Sequence, residues 1–352
     1  MTRALSRAGA VLRSHLVLAV LGVVVIVAVL TAVGDFRAVQ LTQMAYLGIA
    51  AGGLTVLTGL NGQISLGHGA LMAVGAYTTA LLLQDDEPML PLLGVLVAAT
   101  LVTLVVGAAI GVAAARLHGP YLAGATLALA VAVPGIALYF GDTLGGEQGL
   151  RVRVPDAPDW VLDLAFFVTG QDLTPSKYVA YLGWFTLVVA YVGLANLSRS
   201  RVGRRWRAVR DDEVAAEVAG IGLGRARVSA FVVSAAAAGA AGFVMAVSVR
   251  LAAPSGFSLT LSLTLLTAVV LGGLGTLTGA LAGAALLTFL PDVITDAGVS
   301  AGLDDIRAAE LAPLLYGLVM VAVILLAPSG LVGSLRTAWH RLGHTTSKGE
   351  PS

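Results

Sequence analysis

Residues 57–77 read LTGLNGQISLGHGALMAVGAY and join two apolar segments of a 352-residue chain. Four polar side chains lie among the glycines of this stretch: Asn61, Gln63, Ser65 and His68. Polar, glycine-rich backbone is costly in hydrocarbon and is tolerated only where it is buried in protein or lines a water-filled cavity. A glycine-interrupted apolar segment also marks the binding region of many transporters. The stretch therefore predicts either part of a translocation pathway or an interfacial loop that touches no substrate.

The composition restricts the chain to the membrane. Hydrophobic residues make up 57% of it and charged residues only 12%, with a mean hydropathy of +0.90. A soluble domain carries about 25% charged residues, so a water-soluble fold is excluded. The net charge of +1 does not favour nucleic acid as a partner. The absence of cysteine excludes disulfides and cysteine metal sites.

Intervals without Asp, Glu, Lys or Arg predict an all-α polytopic membrane protein. Each can hold a span of about 20 residues, and the second can hold two spans around the opening stretch. The apolar run at 16–33 is too long for a signal-peptide core, so we expect an uncleaved first span. We predict about ten membrane segments, some short or re-entrant, from the charge-free intervals 14–34, 38–84, 88–115, 119–141, 178–198, 228–249, 251–291 and 311–335.

The charges of the loops predict their sides, because cytoplasmic loops are enriched in Arg and Lys. The basic segments are predicted to be cytoplasmic: the N-terminal segment 1–15, the link 116–118, the loop 198–227 and the tail 336–352. The acidic segments 85–87, 142–177 and 292–310 are predicted to be periplasmic. The permease domain thus spans 16–335, with both termini in the cytoplasm.

The same reasoning predicts a second glycine-rich turn. Because both neighbouring loops of 258–290 are predicted outside, this run must cross an even number of times. Its 33 residues would form about 50 Å of helix, too long for one span and short for two. We predict two short or re-entrant helices meeting at 272–283, which carries Gly272, Gly273 and Gly275. Its similarity to the opening stretch hints at an internal duplication, and we expect the two turns to face each other near an inner gate.

The cytoplasmic loop 198–227 predicts a short helix on the membrane surface. Asp211 or Asp212 is suited to cap its N-terminus and Gly220 to end it, giving a helix over about 212–219. A loop that only fixes orientation would need arginines alone. The capped acidic helix instead favours a docking surface for a cytoplasmic partner.

Catalytic motifs are absent from the sequence. There is no phosphate-binding G-x-x-x-x-G-K-[ST] and no H-E-x-x-H, and the histidines have no metal-ligand spacing. His68 could carry a proton, but a structural hydrogen-bonding role is favoured. Since the spans lack other ionisable groups, a neutral pathway driven by energy supplied elsewhere is favoured over a proton pump. A sodium site made of backbone carbonyls stays open.

Five collinear blocks resemble the LivM-like permease subunits of bacterial ABC importers for branched-chain amino acids. The resemblance covers about residues 40–333. The blocks are LTGLNGQISLGHGALMAVGAY (57–77), GPYLAGATLALA (119–130), GRRWRAVRDDEVAAEVAGIGLGRARVSAFVVSAAAAGAAG (203–242), AAPSGFSLTLSLTLLTAVVLGGLGTLTGALAGA (252–284) and YGLVMVAVILLAPSGLVG (316–333).

This resemblance implies a non-enzymatic subunit that pairs with a second, LivH-like permease. It further implies two cytoplasmic ATPase subunits, which bind ATP and Mg, and a periplasmic or lipid-anchored substrate-binding protein. No cofactor or metal is expected in this chain. The predicted pathway or gate comprises Asn61, Gln63, Ser65, Gly67, His68, Gly272, Gly273 and Gly275. The residues at the family's ATPase-coupling positions are Arg207, Arg210, Asp212, Glu213, Glu217 and Gly220.

Some residues depart from the family's pattern. Leu144 stands where threonine is usual, and Asn61 and Met72 stand where small or aromatic residues are commoner. Because these differences lie near the predicted pathway, they bear on the solute. Permeases for urea and short amides have much the same pattern, so these solutes stay open as alternatives. An ion-coupled secondary transporter is the alternative from another class.

Overall fold

The computed structural model describes residues 20–85, 90–117, 119–326 and 330–334. The predicted cytoplasmic segments 1–15 and 336–352 lie outside these residues, as do parts of the loops at 85–87 and 116–118. The described chain is helical almost throughout. Its α-helices are α1 (Val20–Ala32), α2 (Asp35–Leu54), α3 (His68–Leu82), α4 (Leu92–Ala114), α5 (Pro120–Tyr139), α6 (Gly141–Leu144), α7 (Asp159–Thr169), α8 (Pro175–Arg199), α9 (Arg201–Asp211), α10 (Glu213–Val218), α11 (Leu223–Val249), α12 (Leu259–Gly272), α13 (Leu277–Ser300) and α14 (Asp305–Leu326).

Shorter elements connect these helices. A π-helical turn, Thr55–Leu60, extends α2, and 3₁₀ turns occupy Gly146–Gln148 and Pro254–Phe257. Two short strands, β1 (Leu150–Arg151) and β2 (Leu251–Ala252), pair antiparallel with Leu150 opposite Ala252. By length and composition, 7 helical segments of the described residues could cross a membrane, and α1 and α3 are shorter apolar helices. The prediction of an all-α polytopic membrane protein is confirmed.

Helices α2 and α11 form the centre of the bundle. Helix α11 contacts α2, α3, α4 and α8, and α2 contacts α8, α12 and α13. Small residues permit this close approach: a Cβ added at Gly75 of α3 would lie 2.7 Å from the Cα of Gly239 in α11. In lipid, helix association relies on such close packing, because there is no hydrophobic driving force between helices.

Contacts among the loops sort them into two groups, one at each end of the bundle. At one end, β1 pairs with β2, the Arg153 amide donates to the Leu83 carbonyl, and Thr174 donates to Asp35. At the other end, the turn after α2 meets the loop between α8 and α11 and the turn before α13. The basic loop and the glycine turns thus lie at one end of the bundle, and the two strands with the segment around Arg153 and Thr174 lie at the other.

Three segments differ from their predicted secondary structure. The segment 292–310 is largely helical, because α13 continues through Pro291 to Ser300 and α14 begins at Asp305. As a result α13 is 24 residues long, whereas α12 has the short length of 14 residues that we predicted. The loop 142–177 contains the helix α7, whose apolar side chains are largely exposed.

Candidate functional site

The opening stretch forms a buried, non-helical connection between α2 and α3. After the π-helical turn, residues 61–67 have no regular structure until α3 begins at His68. The four polar residues in and beside it are Asn61, Gln63, Ser65 and His68, and none is more than 6% exposed. The polar side chains of the segment are thus enclosed by protein, as the membrane requires, whereas Gly62 and Ile64 are exposed. π-helical turns are rare and are frequent at functional sites.

Side chains from two distant helices satisfy the backbone at the start of α3. The Leu66 amide donates to Thr126 Oγ1 of α5 over 3.0 Å, and the Gly69 amide donates to Ser262 Oγ of α12 over 3.0 Å. Amides at the start of a helix have no partner within the helix, so these bonds fix where α3 begins. Thr126 and Ser262 were not predicted, since nothing in their local sequence distinguishes them from other hydroxyls on apolar helices.

Gly67 allows this junction to close. A Cβ at Gly67 would lie 2.6 Å from the carbonyl oxygen of Thr126, which is backbone and cannot move aside as a side chain can. The close contact between α3 and α5 therefore depends on glycine at this position.

Several polar atoms of the stretch are buried without a hydrogen bond. Among the described residues, both carboxamide atoms of Asn61 and of Gln63 lack a partner, as does His68 Nε2. The other ring nitrogen of His68, Nδ1, lies 3.4 Å from Ser234 Oγ of α11. Each unsatisfied buried polar group costs about 1–3 kcal/mol. Such groups are uncommon in native proteins and call for a functional explanation.

The second glycine turn lies directly against the first. Helix α12 ends at Gly272, and Gly273 and Gly275 follow with φ of 119° and 83°, values that favour glycine. Thr276 then caps α13 by accepting a hydrogen bond from the Gly279 amide over 3.2 Å. A Cβ added at Gly59 would lie 2.7 Å from the Cα of Gly275. The expected meeting of the two turns is confirmed.

Arg210 joins the loop between α8 and α11 to both turns. Its Nη1 donates to the Gly59 carbonyl over 2.8 Å, and its Cγ would lie 3.1 Å from a Cβ at Gly62. A Cβ at Gly275 would lie 3.4 Å from the same Nη1. Asp211 Oδ1 accepts from Arg210 Nε and Nη2 over 2.9 and 2.7 Å. The guanidinium is thereby held in the orientation that reaches the glycine turns.

The predicted surface helix is present as α10, and a second helix, α9, precedes it. Asp212 caps α10 by accepting from the Ala215 amide over 3.0 Å, and Gly220 follows with a φ of 81°, as predicted. Helix α9 was not predicted, because its arginines dominate the composition. Its buried Trp206 donates from Nε1 to Ser229 Oγ of α11 over 2.9 Å, which fixes α9 on the bundle.

Arg227 anchors α10 to the membrane helices. This arginine of α11 is 5% exposed; its Nη2 donates to Glu213 Oε2 over 2.6 Å and its Nη1 to the Ala115 carbonyl at the end of α4 over 3.2 Å. Arg227 was not predicted as a functional residue, because in the sequence it is one of several arginines in the basic loop. Its burial and its partners are visible only in the folded chain.

The six predicted coupling residues therefore lie in different surroundings. Arg210 and Glu213 contact the membrane domain, Asp212 and Gly220 set the ends of α10, and Glu217 is exposed. Arg207 lines a cavity beside α8. The outward surface of α10 also carries two apolar side chains: Val214 and Val218 are 73% and 85% exposed. They are four residues apart and so lie on one face of the helix.

No group of His, Cys, Asp or Glu residues within the described residues could hold a metal ion.

Comparisons with known proteins agree on one family. A family model described as "Branched-chain amino acid transport system / permease component" matches residues 38–324. The permease protein LivM of Escherichia coli K12 is 31% identical over 85% of this chain and 70% of its own length. BraD of Pseudomonas aeruginosa is 26% identical, and LivH of E. coli K12 25%, each over 80% of this chain and 89% of its own. All three are named as high-affinity branched-chain amino acid transport system permease proteins. No solved structure matches.

Proposed function

The chain belongs to the family of permease components of branched-chain amino acid transport systems, and we propose that it is a LivM-like permease subunit of an ABC importer. Its solutes are leucine, isoleucine and valine, which its matched relatives are named for transporting. The chain itself catalyses no reaction. ATP and Mg are bound, and ATP is hydrolysed, in partner ATPase subunits.

The complex contains four kinds of subunit. A LivH-like permease pairs with this chain, two ATPases bind its cytoplasmic face, and a periplasmic or lipid-anchored binding protein delivers the solute. The similarity of this one chain to both LivM and LivH supports such a pair of related permeases. The chain lies in the bacterial inner membrane with about ten membrane segments and both termini in the cytoplasm, as its loop charges indicate.

One observation carries the mechanism: the link from α9 through Arg210 to Gly59, at the point where the two glycine turns meet. An ATPase that binds the exposed face of α10 would move α9, because the single residue Asp212 separates the two helices. Arg210 would pass that movement to the first turn, and the contact between Gly59 and Gly275 would pass it to the second. ATP hydrolysis would in this way open or close an inner gate.

Solute uptake by cells tests the proposal. In a strain from which this gene is deleted, uptake of labelled leucine, isoleucine and valine at low concentration should be lost, and the intact gene should restore it. Urea uptake in the same strain is the matched control. Loss of urea uptake with normal uptake of the three amino acids would contradict the proposed solute and leave the family assignment in place.

A further inference from the structure

The cavity that Arg207 lines has mostly apolar walls, with arginines at one end. It has a volume of about 440 Å³ and lies between α1, α8 and α13, beside Leu60 and Gly275 of the two glycine turns. Its wall along α8 is formed by Leu187, Val188, Tyr191, Val192, Ala195 and Ser198. Arg199 and Arg207 line it as well, and both belong to the end of the bundle that carries the basic loop.

The shape of this cavity is that of a groove along one helix. From Leu187 to Arg199 the lining of α8 extends over about 18 Å, at about 1.5 Å of rise per residue. One leaflet contributes about half of the ~30 Å hydrocarbon core of a bilayer. The groove is therefore as long as one leaflet is thick, which is far more than an amino acid needs.

The charges lie at one end of the groove only. Arg207 is half-buried, and it has no hydrogen bond or ion pair among the described residues. Arg199 closes the last turn of α8 at the same end. A charge held away from water is costly without a partner. The half-buried, unpaired guanidinium of Arg207 beside apolar walls therefore favours a ligand with an anionic group in the groove.

We propose that the groove between α8 and α13 binds an anionic phospholipid of the inner leaflet. The phosphate pairs with Arg207, and one acyl chain lies along α8 from Ala195 towards Leu187. Basic pockets between membrane helices on the cytoplasmic side are suited to anionic headgroups. Since Leu60 and Gly275 line the same groove, a bound lipid would contact both glycine turns.

Native mass spectrometry of the full-length chain in detergent tests this site. The probes are dioleoyl phosphatidylglycerol, which is anionic, and dioleoyl phosphatidylcholine, which is zwitterionic. We expect the wild type to retain phosphatidylglycerol at least about tenfold more tightly than phosphatidylcholine. Arg207→Gln should weaken phosphatidylglycerol binding by about tenfold, corresponding to one charge-assisted contact. Ala195→Phe, which fills the apolar part, should weaken binding of both lipids.

Arg225→Gln is the matched control, because Arg225 is an exposed arginine of the same basic loop that does not line the groove. An equal loss in Arg225→Gln and Arg207→Gln would show general attraction to anionic lipid and overturn the proposal. Equal retention of the two lipids would also overturn it, as would displacement of the lipid by free leucine, which would make the groove a solute site. These lipid-binding measurements use this chain alone. Their failure would therefore leave the proposed permease function, which is tested by uptake in cells, unaffected.

Discussion

At the scale of single residues, position 67 accommodates only glycine. The close approach of its Cα to the Thr126 carbonyl leaves no room for a side chain. We expect Gly67→Leu to abolish uptake by the assembled transporter while leaving the affinity of the binding protein for its solute unchanged, because the two reside in different chains. Labelled leucine uptake and solute titration of the binding protein measure the two quantities.

Gly124→Ala is the control for Gly67→Leu. It lies two residues from Thr126 in α5, and a Cβ there meets nothing within 4 Å. Gel filtration of each variant separates a folded, inactive chain from a misfolded one. Normal uptake by a folded Gly67→Leu variant would return the opening stretch to an interfacial loop without a part in gating.

The hydrogen bond from Arg210 to the Gly59 carbonyl leads to a second prediction about a single residue. Arg210→Gln removes the bond to the Gly59 carbonyl while leaving the exposed face of α10 in place. We expect ATP hydrolysis by the complex to continue and uptake to fall about tenfold or more, so that more ATP is used per solute transported. Arg210→Lys, which keeps the charge but not the planar fork, should restore uptake only in part. Parallel losses of hydrolysis and uptake would instead indicate a defect in docking.

The ion pair between Arg227 and Glu213 leads to a third prediction about single residues. Because Arg227 is buried and Glu213 is half exposed, removal of Glu213 leaves a buried cation without a carboxylate to balance its charge. We expect a coupling of about 1–3 kcal/mol between the two side chains. Thermal unfolding of Glu213→Gln, Arg227→Met and the double variant gives this energy as a double-mutant cycle. A coupling near zero would mean that the ion pair does not hold α10 on the membrane helices.

At the scale of elements, α10 exposes an apolar pair where a surface helix should be polar. Val214 and Val218 are therefore the residues most suited to a pocket on an ATPase subunit. Val214→Ser with Val218→Ser should weaken ATPase binding by at least about tenfold, since burial of each side chain contributes about 1.5 kcal/mol or more. Pull-down of the ATPase with increasing salt measures this. Val249→Ser, at the other end of the bundle, should have no effect, and equal binding by all variants would exclude α10 as the docking element.

Some of these elements could be predicted from the sequence and others could not. Charge-free intervals located the spans, because ionised side chains are costly in hydrocarbon. Asp212 and Gly220 located α10, because capping residues act locally. Helices α7 and α9 escaped prediction: α7 follows a proline-rich acidic segment, and the burial of α9 depends on Trp206 reaching Ser229 of α11. Contacts such as Thr126 with Leu66 join distant parts of the chain and leave no local pattern.

At the scale of the whole molecule, the chain is a bundle whose two ends differ in their chemistry. The end with the basic loop holds the two glycine turns, Arg210, the Arg227–Glu213 pair and the cavity lined by Arg207. The other end holds the β1–β2 pair and the segment with α7. Among the described residues, the contact between the two glycine turns and the contacts that join them to α9 therefore lie at one end of the bundle.

The central claim is that this chain translocates solute only when partner subunits hydrolyse ATP. The direct measurement is uptake of labelled leucine into proteoliposomes that contain either this chain alone or the complete set of permeases, ATPases and binding protein. We expect uptake only with the complete set and ATP, and none by the chain alone under a sodium or proton gradient. Gradient-driven uptake by the chain alone would contradict the account and make the protein a secondary transporter.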